Sequence, residues 1–229
     1  MTDWCNTAAA VICSESLAAA SARQQQLTKP PGSLGQLESL AVNFAGWQGM
    51  EIPILEHIAV RVYAADHGVT ERNVSAFPAA VTVQMIDNFI RGGAAISVLS
   101  RQLNADFAVV NMGTFTPTPA ASALVNVDVA RGTRDFTVSE AMTAQSLHEC
   151  LDAGRNQVDD VNCSLFIAGE MGIGNTTAAA AITAALLGLD ANTVVGHGTG
   201  VDAAGLARKQ SAVTAALKLH GPVMNDPLA

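Results

Sequence analysis

The chain has 229 residues and carries 12 lysines and arginines against 20 aspartates and glutamates, a formal net charge of −8. This acidic balance argues against nucleic acid and anionic membranes as partners, since both select basic surfaces. Apolar residues make up 49% of the chain and charged residues 14%, a composition that excludes intrinsic disorder. No stretch approaches the ~18 consecutive apolar residues of a membrane-spanning helix, and the start lacks the pattern of a secretory signal. The four cysteines lack metal-ligand spacing and are interpreted as reduced thiols. We therefore expect a cytoplasmic protein.

Two helices are predicted in the first 50 residues. The first is alanine-rich, covers about 6–26, and ends at the segment Lys29-Pro30-Pro31-Gly32. Ser33 is predicted to cap the second helix, whose apolar positions follow helical spacing.

Strands and helices alternate from residue 57 onward. The predicted elements are a strand over 57–65, a helix beginning near Pro78 and ending at 91–93, a short helix over 94–103, strands over 106–112 and 124–130, a helix over 138–160, a strand over 163–168, a helix over 176–187, a short strand over 193–196 and a helix over 202–219. This alternation is typical of a parallel sheet covered by helices. The sequence predicts an α/β fold, with a Rossmann-like parallel sheet flanked by helices in residues 53–229 and a small helical subdomain in residues 1–52.

A glycine-rich motif, GEMGIGNTT (169–177), separates a predicted strand from a predicted helix. Glycines allow close approach of a ligand, and free amides at a helix N-terminus favour an anion. Glu170 falls at the carboxyl end of the strand, where open α/β sheets bind ligands. The alternative is a glycine-rich connection with a solvated glutamate.

A second motif, GHGTGVD (196–202), again joins a predicted strand to a predicted helix. Lys209 follows Asp202 by seven residues, which places both on one helix face and offers a cation for a phosphate. A surface lysine is the alternative interpretation. His197 is interpreted as a loop histidine and not as a metal ligand.

Polar residues also follow the first predicted strand. Asp66 and His67 lie where a substrate site is expected, although neighbours on an extended chain point apart and do not form a catalytic dyad. A structural aspartate in a polar loop is the alternative. Gln84 and Met85 could line a pocket for a flat apolar ligand, with helix packing as the alternative, especially for Met85.

Seven segments span nearly the whole chain: KPPGSLGQLE (29–38), AADHGV (64–69), VSAFPAAVTVQM (74–85), GGAAISVL (92–99), GTRDFT (132–137), GEMGIGNTT (169–177) and GHGTGVD (196–202). Together and in this order they resemble the nicotinate-nucleotide–dimethylbenzimidazole phosphoribosyltransferase family of cobalamin biosynthesis. The resemblance implies transfer of the phosphoribosyl group of nicotinate mononucleotide to 5,6-dimethylbenzimidazole, giving α-ribazole 5′-phosphate and nicotinate. It also implies a carboxylate as general base, no metal or other cofactor, and a homodimer.

The resemblance assigns roles to individual positions. Glu170 matches a site carboxylate that supports catalysis. The pocket for the aromatic base corresponds to Phe77, Pro78, Gln84 and Met85. Ligand neighbours correspond to Met171 and Gly172, and the phosphoribosyl side corresponds to Asn175, Thr176, Thr177 and Lys209. From their own motifs we add four substrate-side candidates, Asp66, Gly198, Gly200 and Asp202.

The chain departs from the family pattern in two ways. His197 stands where the family loop commonly has arginine, a difference that is expected to change the phosphate contacts at pH 7. Family members also continue well beyond the length of this chain. Because the family's main general base lies in that further segment, Glu170 is expected to be the one substitute. An uncovered sheet edge and apolar helix faces also predict a dimer or a larger assembly.

The alternative function is a catalytically silent homologue that binds the nucleotide or the benzimidazole. An NAD-dependent oxidoreductase fits the alternation but not the glycine spacing.

Overall fold

The computed structural model describes residues 4, 7–118 and 120–221. The elements in chain order are α1 (Ser14–Gln24), α2 (Gln36–Gln48), β1 (Ile58–Ala65), a 3-10 helix (Gly68–Arg72), α3 (Val81–Ile90), α4 (Ala95–Gln102), β2 (Asp106–Gly113), β3 (Leu124–Asn126), α5 (Ala144–Asp159), β4 (Leu165–Met171), α6 (Asn175–Leu187), α7 (Ala191–Val194) and α8 (Ala203–His220). Two compact units divide between Glu56 and His57. The assignment of residues 1–52 and 53–229 as domains stays a prediction.

The four strands form a parallel sheet in the order β3-β2-β1-β4, which confirms the predicted fold class. The chain adds β2 and β3 on one side of β1 and then crosses back to place β4 on the other side. In an open α/β sheet, this reversal leaves a crevice at the carboxyl ends of the two strands on either side of it. The crevice lies between the ends of β1 and β4.

One face of the sheet is covered by α3 and α4. Ile86 and Phe89 of α3 pack against Val62 of β1 and Val109 of β2, and all four are at least nine-tenths buried. Removing such a side chain from water contributes about 1.5–3 kcal/mol. Met85 packs against the same cluster, as the helix-packing alternative predicts.

The last three helices form their own core. Ala184 of α6, Ala191 of α7 and Val213 of α8 belong to one buried cluster. Val213 is fully buried and Ala184 nearly so. Small side chains let the three helices approach closely, and this packing fixes α8 against α6.

The predicted start of each N-terminal helix is wrong. Residues 7–13 are not helical, and α1 begins at Ser14. Ser33 does not cap α2; its amide donates to the carbonyl of Pro30 in a turn, and Gly35 takes the N-cap position with a φ of 55°.

Three later predictions also differ from the structure. The strand predicted over 193–196 is wrong, because a short helix lets Ala191 and Val195, four residues apart, enter one buried cluster. The helix predicted from 138 begins at Ala144, because the Thr143 hydroxyl caps it by accepting from the Ser146 amide. The strand predicted over 124–130 ends at Asn126.

No helix in the described part of the chain has the length and apolar character needed to cross a membrane. Cys13, Cys150 and Cys163 are free thiols, and Cys5 lies outside the described residues.

Candidate functional site

The GEMGIGNTT motif and the polar residues Asp66 and His67 meet at the carboxyl ends of β1 and β4. Strand register pairs Tyr63 with Glu170 and Ala64 with Met171, so Asp66 follows β1 at the level where β4 ends. The strand β4 extends three residues beyond its predicted end and contains Glu170 and Met171. Glu170 is thus positioned by the sheet and not by a loop.

Gly172 is surrounded by polar atoms of both strand ends. A Cβ at this position would lie 2.6 Å from the carbonyl oxygen of Ala65, 2.8 Å from His67 Nε2 and 2.9 Å from Glu170 Oε1. Contacts this short do not occur for real Cβ atoms without displacement of the neighbours. Because Gly172 has no Cβ, the Glu170 carboxylate and the His67 imidazole can both border the same small space.

The surroundings of Glu170 raise its pKa toward neutral pH. Its side chain keeps substantial solvent exposure, yet the protein around the carboxyl group displaces water and raises its pKa to about 7. Burial lowers the pKa of His67, and the Asp66 charge opposes that shift. A carboxylate with such a pKa can accept a proton near neutral pH and release it again.

Asp66 accepts hydrogen bonds from the loops around the site. It is 1% exposed; Oδ2 accepts from the Phe115 amide at 2.8 Å, and its carbonyl accepts from the Thr133 amide at 3.0 Å. Oδ1 has no hydrogen-bond partner among the described residues. These bonds fit the structural alternative for Asp66 and fix the segment that contains the GTRDFT motif.

A small cavity lies where the β4–α6 loop (172–174) meets the α7–α8 loop (195–202). It is lined by Ser75, Gly172, Thr176, His197, Thr199 and Lys209, among others. Both glycine motifs therefore contribute to one cavity, which includes three of the predicted site residues.

Lys209 is the principal charge of this cavity. It is only 2% exposed, and its Nζ donates to Thr176 Oγ1 at 2.8 Å. Among the described residues, no carboxylate lies within ion-pair distance of Nζ. Burial lowers the pKa of Lys209, because the cation has lost water without gaining an opposite charge. An anion in the cavity would supply that charge.

The α7–α8 loop is fitted closely onto Lys209. Gly198 has a φ of 56°, and a Cβ there would lie 2.8 Å from Lys209 Nζ and 3.0 Å from Thr176 Oγ1. Gly200 also has a positive φ. Asp202 caps α8 by accepting from the Gly205 amide at 2.7 Å, which accounts for its place in the motif.

The first turn of α6 presents its residues in different directions. Thr176 faces the cavity, whereas Thr177 is fully buried and its hydroxyl has no partner among the described residues. Asn175 is half-buried, and Gly174 takes the N-cap position with a φ of 95°.

The segment predicted to hold an aromatic base begins before α3 and continues into that helix. Phe77 is 50% exposed, and Pro78 and Gln84 are exposed as well. The Phe77 amide donates to Ser75 Oγ at 3.2 Å, and Ser75 lines the Lys209 cavity. Thr82 Oγ1 accepts from the Ile173 amide at 3.2 Å and ties α3 to the β4–α6 loop. The backbone of Phe77 is therefore bonded to a residue of the cavity wall, and its side chain is exposed.

Sequence reasoning did not select Ser75 or Thr199 as site residues, and it interpreted His197 as a loop histidine whose difference from the family's arginine affects phosphate contacts. Each lies inside a quoted motif, and only the folded loops show that they line the cavity. Within the described ranges, no group of three His, Cys, Asp or Glu residues is arranged to hold a metal ion.

A family model described as phosphoribosyltransferase matches residues 11–229. The nicotinate-nucleotide–dimethylbenzimidazole phosphoribosyltransferase of Pseudomonas putida (strain W619) is 49% identical over 228 residues, covering 98% of this chain and 65% of the relative. The protein of the same name from Pseudomonas aeruginosa (strain LESB58) is 50% identical over 211 residues, covering 91% of this chain and 60% of the relative. The chain thus spans less than two thirds of the length of these relatives.

Solved structures of proteins with these names are also similar to this chain. Two crystal structures from Thermus thermophilus, one of the enzyme with that name and one of CobT, superpose with TM-scores of 0.81 and 0.82. They are 43% and 45% identical to this chain and cover 90% of it, and the match covers 62% of each solved chain.

Proposed function

Because this chain belongs to the nicotinate-nucleotide–dimethylbenzimidazole phosphoribosyltransferase family, we propose that it transfers the phosphoribosyl group of nicotinate mononucleotide to 5,6-dimethylbenzimidazole. The products are α-ribazole 5′-phosphate and nicotinate. The observation that carries the proposal is Lys209, a buried cation in a cavity built by both glycine motifs, with no counter-ion among the described residues.

The phosphate of the nucleotide supplies the missing negative charge. Lys209 Nζ and Thr176 Oγ1 lie 2.8 Å apart on one side of the cavity. The N-terminus of α6 adds the partial positive charge of its free amides. Hydrogen bonds between charged partners in a site of low water content are strong, and they hold the ribose in one orientation.

Glu170 is the carboxylate that we propose as general base. A nitrogen of the benzimidazole attacks the anomeric carbon, and the electron pair of the broken bond moves to the nicotinate nitrogen. The proton on the other benzimidazole nitrogen passes to Glu170. The pKa of about 7 suits this step, because an efficient base titrates near the working pH.

The exposed Phe77 ring supports the position of the second substrate. This exposed aromatic side chain, whose backbone is bonded to the cavity residue Ser75, offers a stacking surface for a flat benzimidazole. The other substrate-side assignments belong to the same proposal: Asp66, Pro78, Gln84, Met85, Met171, Gly172, Asn175, Thr177, Gly198, Gly200 and Asp202.

The test is turnover by the purified chain, with its length confirmed by intact mass. Nicotinate mononucleotide and dimethylbenzimidazole are incubated with the protein, and α-ribazole phosphate is measured by chromatography. The proposal requires product from the unmodified chain. It also requires Glu170→Gln to lower turnover by about a hundredfold or more and Lys209→Met to raise KM for the nucleotide.

Lys218→Met, an exposed substitution on the same helix as Lys209, is the matched control and should turn over at the unmodified rate. A folded chain that binds either substrate without forming product would favour the catalytically silent homologue. Binding of NAD in preference to nicotinate mononucleotide would overturn both interpretations.

We also propose that the chain acts in the cytoplasm, in line with its cysteines being reduced thiols, and that it is a homodimer, which its family resemblance implies. Light scattering tests the second part: a stable monomer at tens of micromolar would contradict it.

A further inference from the structure

Two glycines of the GEMGIGNTT motif pack along the side chain of His67. A Cβ at Gly174 would lie 3.2 Å from His67 Cβ, and a Cβ at Gly172 would lie 2.8 Å from His67 Nε2. A side chain at either position would force a neighbour to move. The β4–α6 loop therefore lies along the histidine from its Cβ to the end of its ring, and this contact fixes the place of the imidazole.

The imidazole and the Glu170 carboxyl group border the same space. Glu170 Oε1 lies 2.9 Å and His67 Nε2 lies 2.8 Å from the position of a Gly172 Cβ, so the two atoms are no farther apart than two hydrogen-bond lengths. Among the described residues, the ion pairs do not include one between these side chains. A gap of this size suits one bridging atom that bonds to both.

A third polar atom completes the surroundings of such a bridge. The carbonyl oxygen of Ala65 lies 2.6 Å from the same Cβ position. A buried water needs two to four polar partners, and these three atoms supply them. Within the described part of the chain, neither nitrogen of the His67 ring has a hydrogen-bond partner. A neutral imidazole can therefore donate or accept at Nε2, according to its tautomer.

The charges around the pair favour a neutral partner for the carboxylate. Burial lowers the pKa of His67, and the opposing charge of Asp66 does not cancel that shift, so the ring is neutral at pH 7. Burial also raises the pKa of Glu170 to about 7. A neutral ring can orient the carboxylate without lowering that pKa, whereas a cation would make the carboxylate a weaker base.

We propose that His67 is the positioning residue of Glu170: its imidazole holds Oε1 through one bridging water and keeps the carboxylate aimed at the proton of the benzimidazole. This inference rests on the proposed function, because it assigns the residue that orients the proposed base. His67 acts through Glu170, and the absence of side chains at Gly172 and Gly174 gives the ring its place.

Substitution tests the two ring nitrogens separately. The side-chain amide of glutamine can replace Nε2, whereas that of asparagine reaches only as far as Nδ1. His67→Gln should keep most of the turnover. His67→Asn and His67→Phe should lower kcat about tenfold, the order expected for one lost hydrogen bond, with KM for both substrates unchanged. In a Glu170→Gln background, His67→Phe should have no further effect. His57→Phe, at an exposed position before β1, is the matched control and should turn over at the unmodified rate.

A second measurement does not depend on turnover. In protein labelled with carbon-13 at the glutamate carboxyl groups, NMR follows the ionisation of Glu170, whose resonance is identified by its loss in Glu170→Gln. Its midpoint in the unmodified chain should lie near pH 7. His67→Phe should raise this midpoint by about one pH unit, because an apolar ring replaces a polar partner, and His67→Gln should leave it in place. Thermal unfolding checks that each variant is folded, and His67→Asn serves if His67→Phe is not.

The outcomes separate this inference from the proposed function. Equal loss of turnover in His67→Gln and His67→Phe, with the midpoint unchanged, would mean that the ring only fills space and would overturn the role of His67. Unchanged kcat and midpoint in His67→Phe would overturn it too and leave Glu170 as the base. If the unmodified chain formed no product, the proposed function would fail. A raised midpoint in His67→Phe would then still support the coupling of the two side chains, and an unchanged midpoint would overturn it.

Discussion

Lys209 Nζ donates to Thr176 Oγ1 at 2.8 Å, a bond that joins α8 to the first turn of α6. The threonine hydroxyl satisfies one of the three ammonium hydrogens but leaves the charge uncompensated. A protein that keeps a buried cation in this way loses some stability and gains a site ready for an anion.

Replacement of Lys209 by methionine should therefore stabilise the protein without ligand. We expect Lys209→Met to raise the free energy of unfolding by about 1 kcal/mol, because it removes a desolvated charge and fills the same space. Burial lowers the pKa of Lys209, so the unfolded chain holds the proton more strongly and the charge costs stability below the ordinary lysine value. The advantage of the variant should shrink as the pH rises toward 10.5. Denaturant unfolding measures both effects.

Lys218→Met is the control, since Lys218 is exposed on the same helix and its replacement should leave the pH dependence unchanged. Added sulfate should stabilise the unmodified chain more than Lys209→Met, since both share the general stabilising effect of this salt. Equal stabilisation of the two proteins would show that the anion binds elsewhere.

Gly198 offers a second test of the same loop. Gly198→Ala should lower the free energy of unfolding by about 1 kcal/mol because the residue has a left-handed φ, and its Cβ would displace the ammonium group. Affinity for nicotinate mononucleotide should fall with it. Gly196→Ala is the matched control, because its Cβ would have no heavy atom within 4 Å. If both variants bound the nucleotide equally well, close contact of the loop with Lys209 would be irrelevant to binding.

Much of this arrangement could be predicted from the sequence. The strands β1, β2 and β4 are rich in apolar residues, as parallel strands covered on both faces are, and their order gives the α/β class. The spacing of seven residues between Asp202 and Lys209 predicted that both lie on one face of the helix that follows the GHGTGVD motif. It could not show that Lys209 is buried, because the burial depends on Gly198 from a separate loop.

Two of the wrong predictions have different physical causes. The segment 193–196 contains β-branched residues that favour a strand, but helix packing buries Ala191 and Val195 more effectively at a helical spacing. Ser33 is a good capping residue, yet the turn closed by its amide to Pro30 delays the helix to Gln36. Packing between helices decided the first structure, and a competing local turn decided the second.

A substitution at Gly172 tests how closely the ends of β1 and β4 are packed. Gly172→Ala should lower the free energy of unfolding by about 1–3 kcal/mol, since the new methyl group meets the backbone of Ala65 as well as two side chains. Gly154→Ala in α5 is the contrasting variant. Its Cβ would meet nothing within 4 Å, and alanine should stabilise that helix by about 0.5–1 kcal/mol. Chemical denaturation of both variants measures the difference, and a tolerated Gly172→Ala would contradict the crowded geometry.

Glu170 gives the clearest pH signature. Burial raises its pKa from 4.5 to about 7, so the folded protein keeps a proton that the unfolded chain loses between these values. The stability contributed by this group therefore falls as the pH rises from about 4.5 to 7 and is constant above that. Glu170→Gln should gain stability over the unmodified chain across that range, and the difference in denaturant midpoint should level off above pH 7. Glu51→Gln, at an exposed position, should follow the unmodified curve at every pH. Parallel curves for Glu170→Gln and the unmodified chain would mean that Glu170 ionises as an ordinary surface carboxylate, unsuited to act as a base near neutrality.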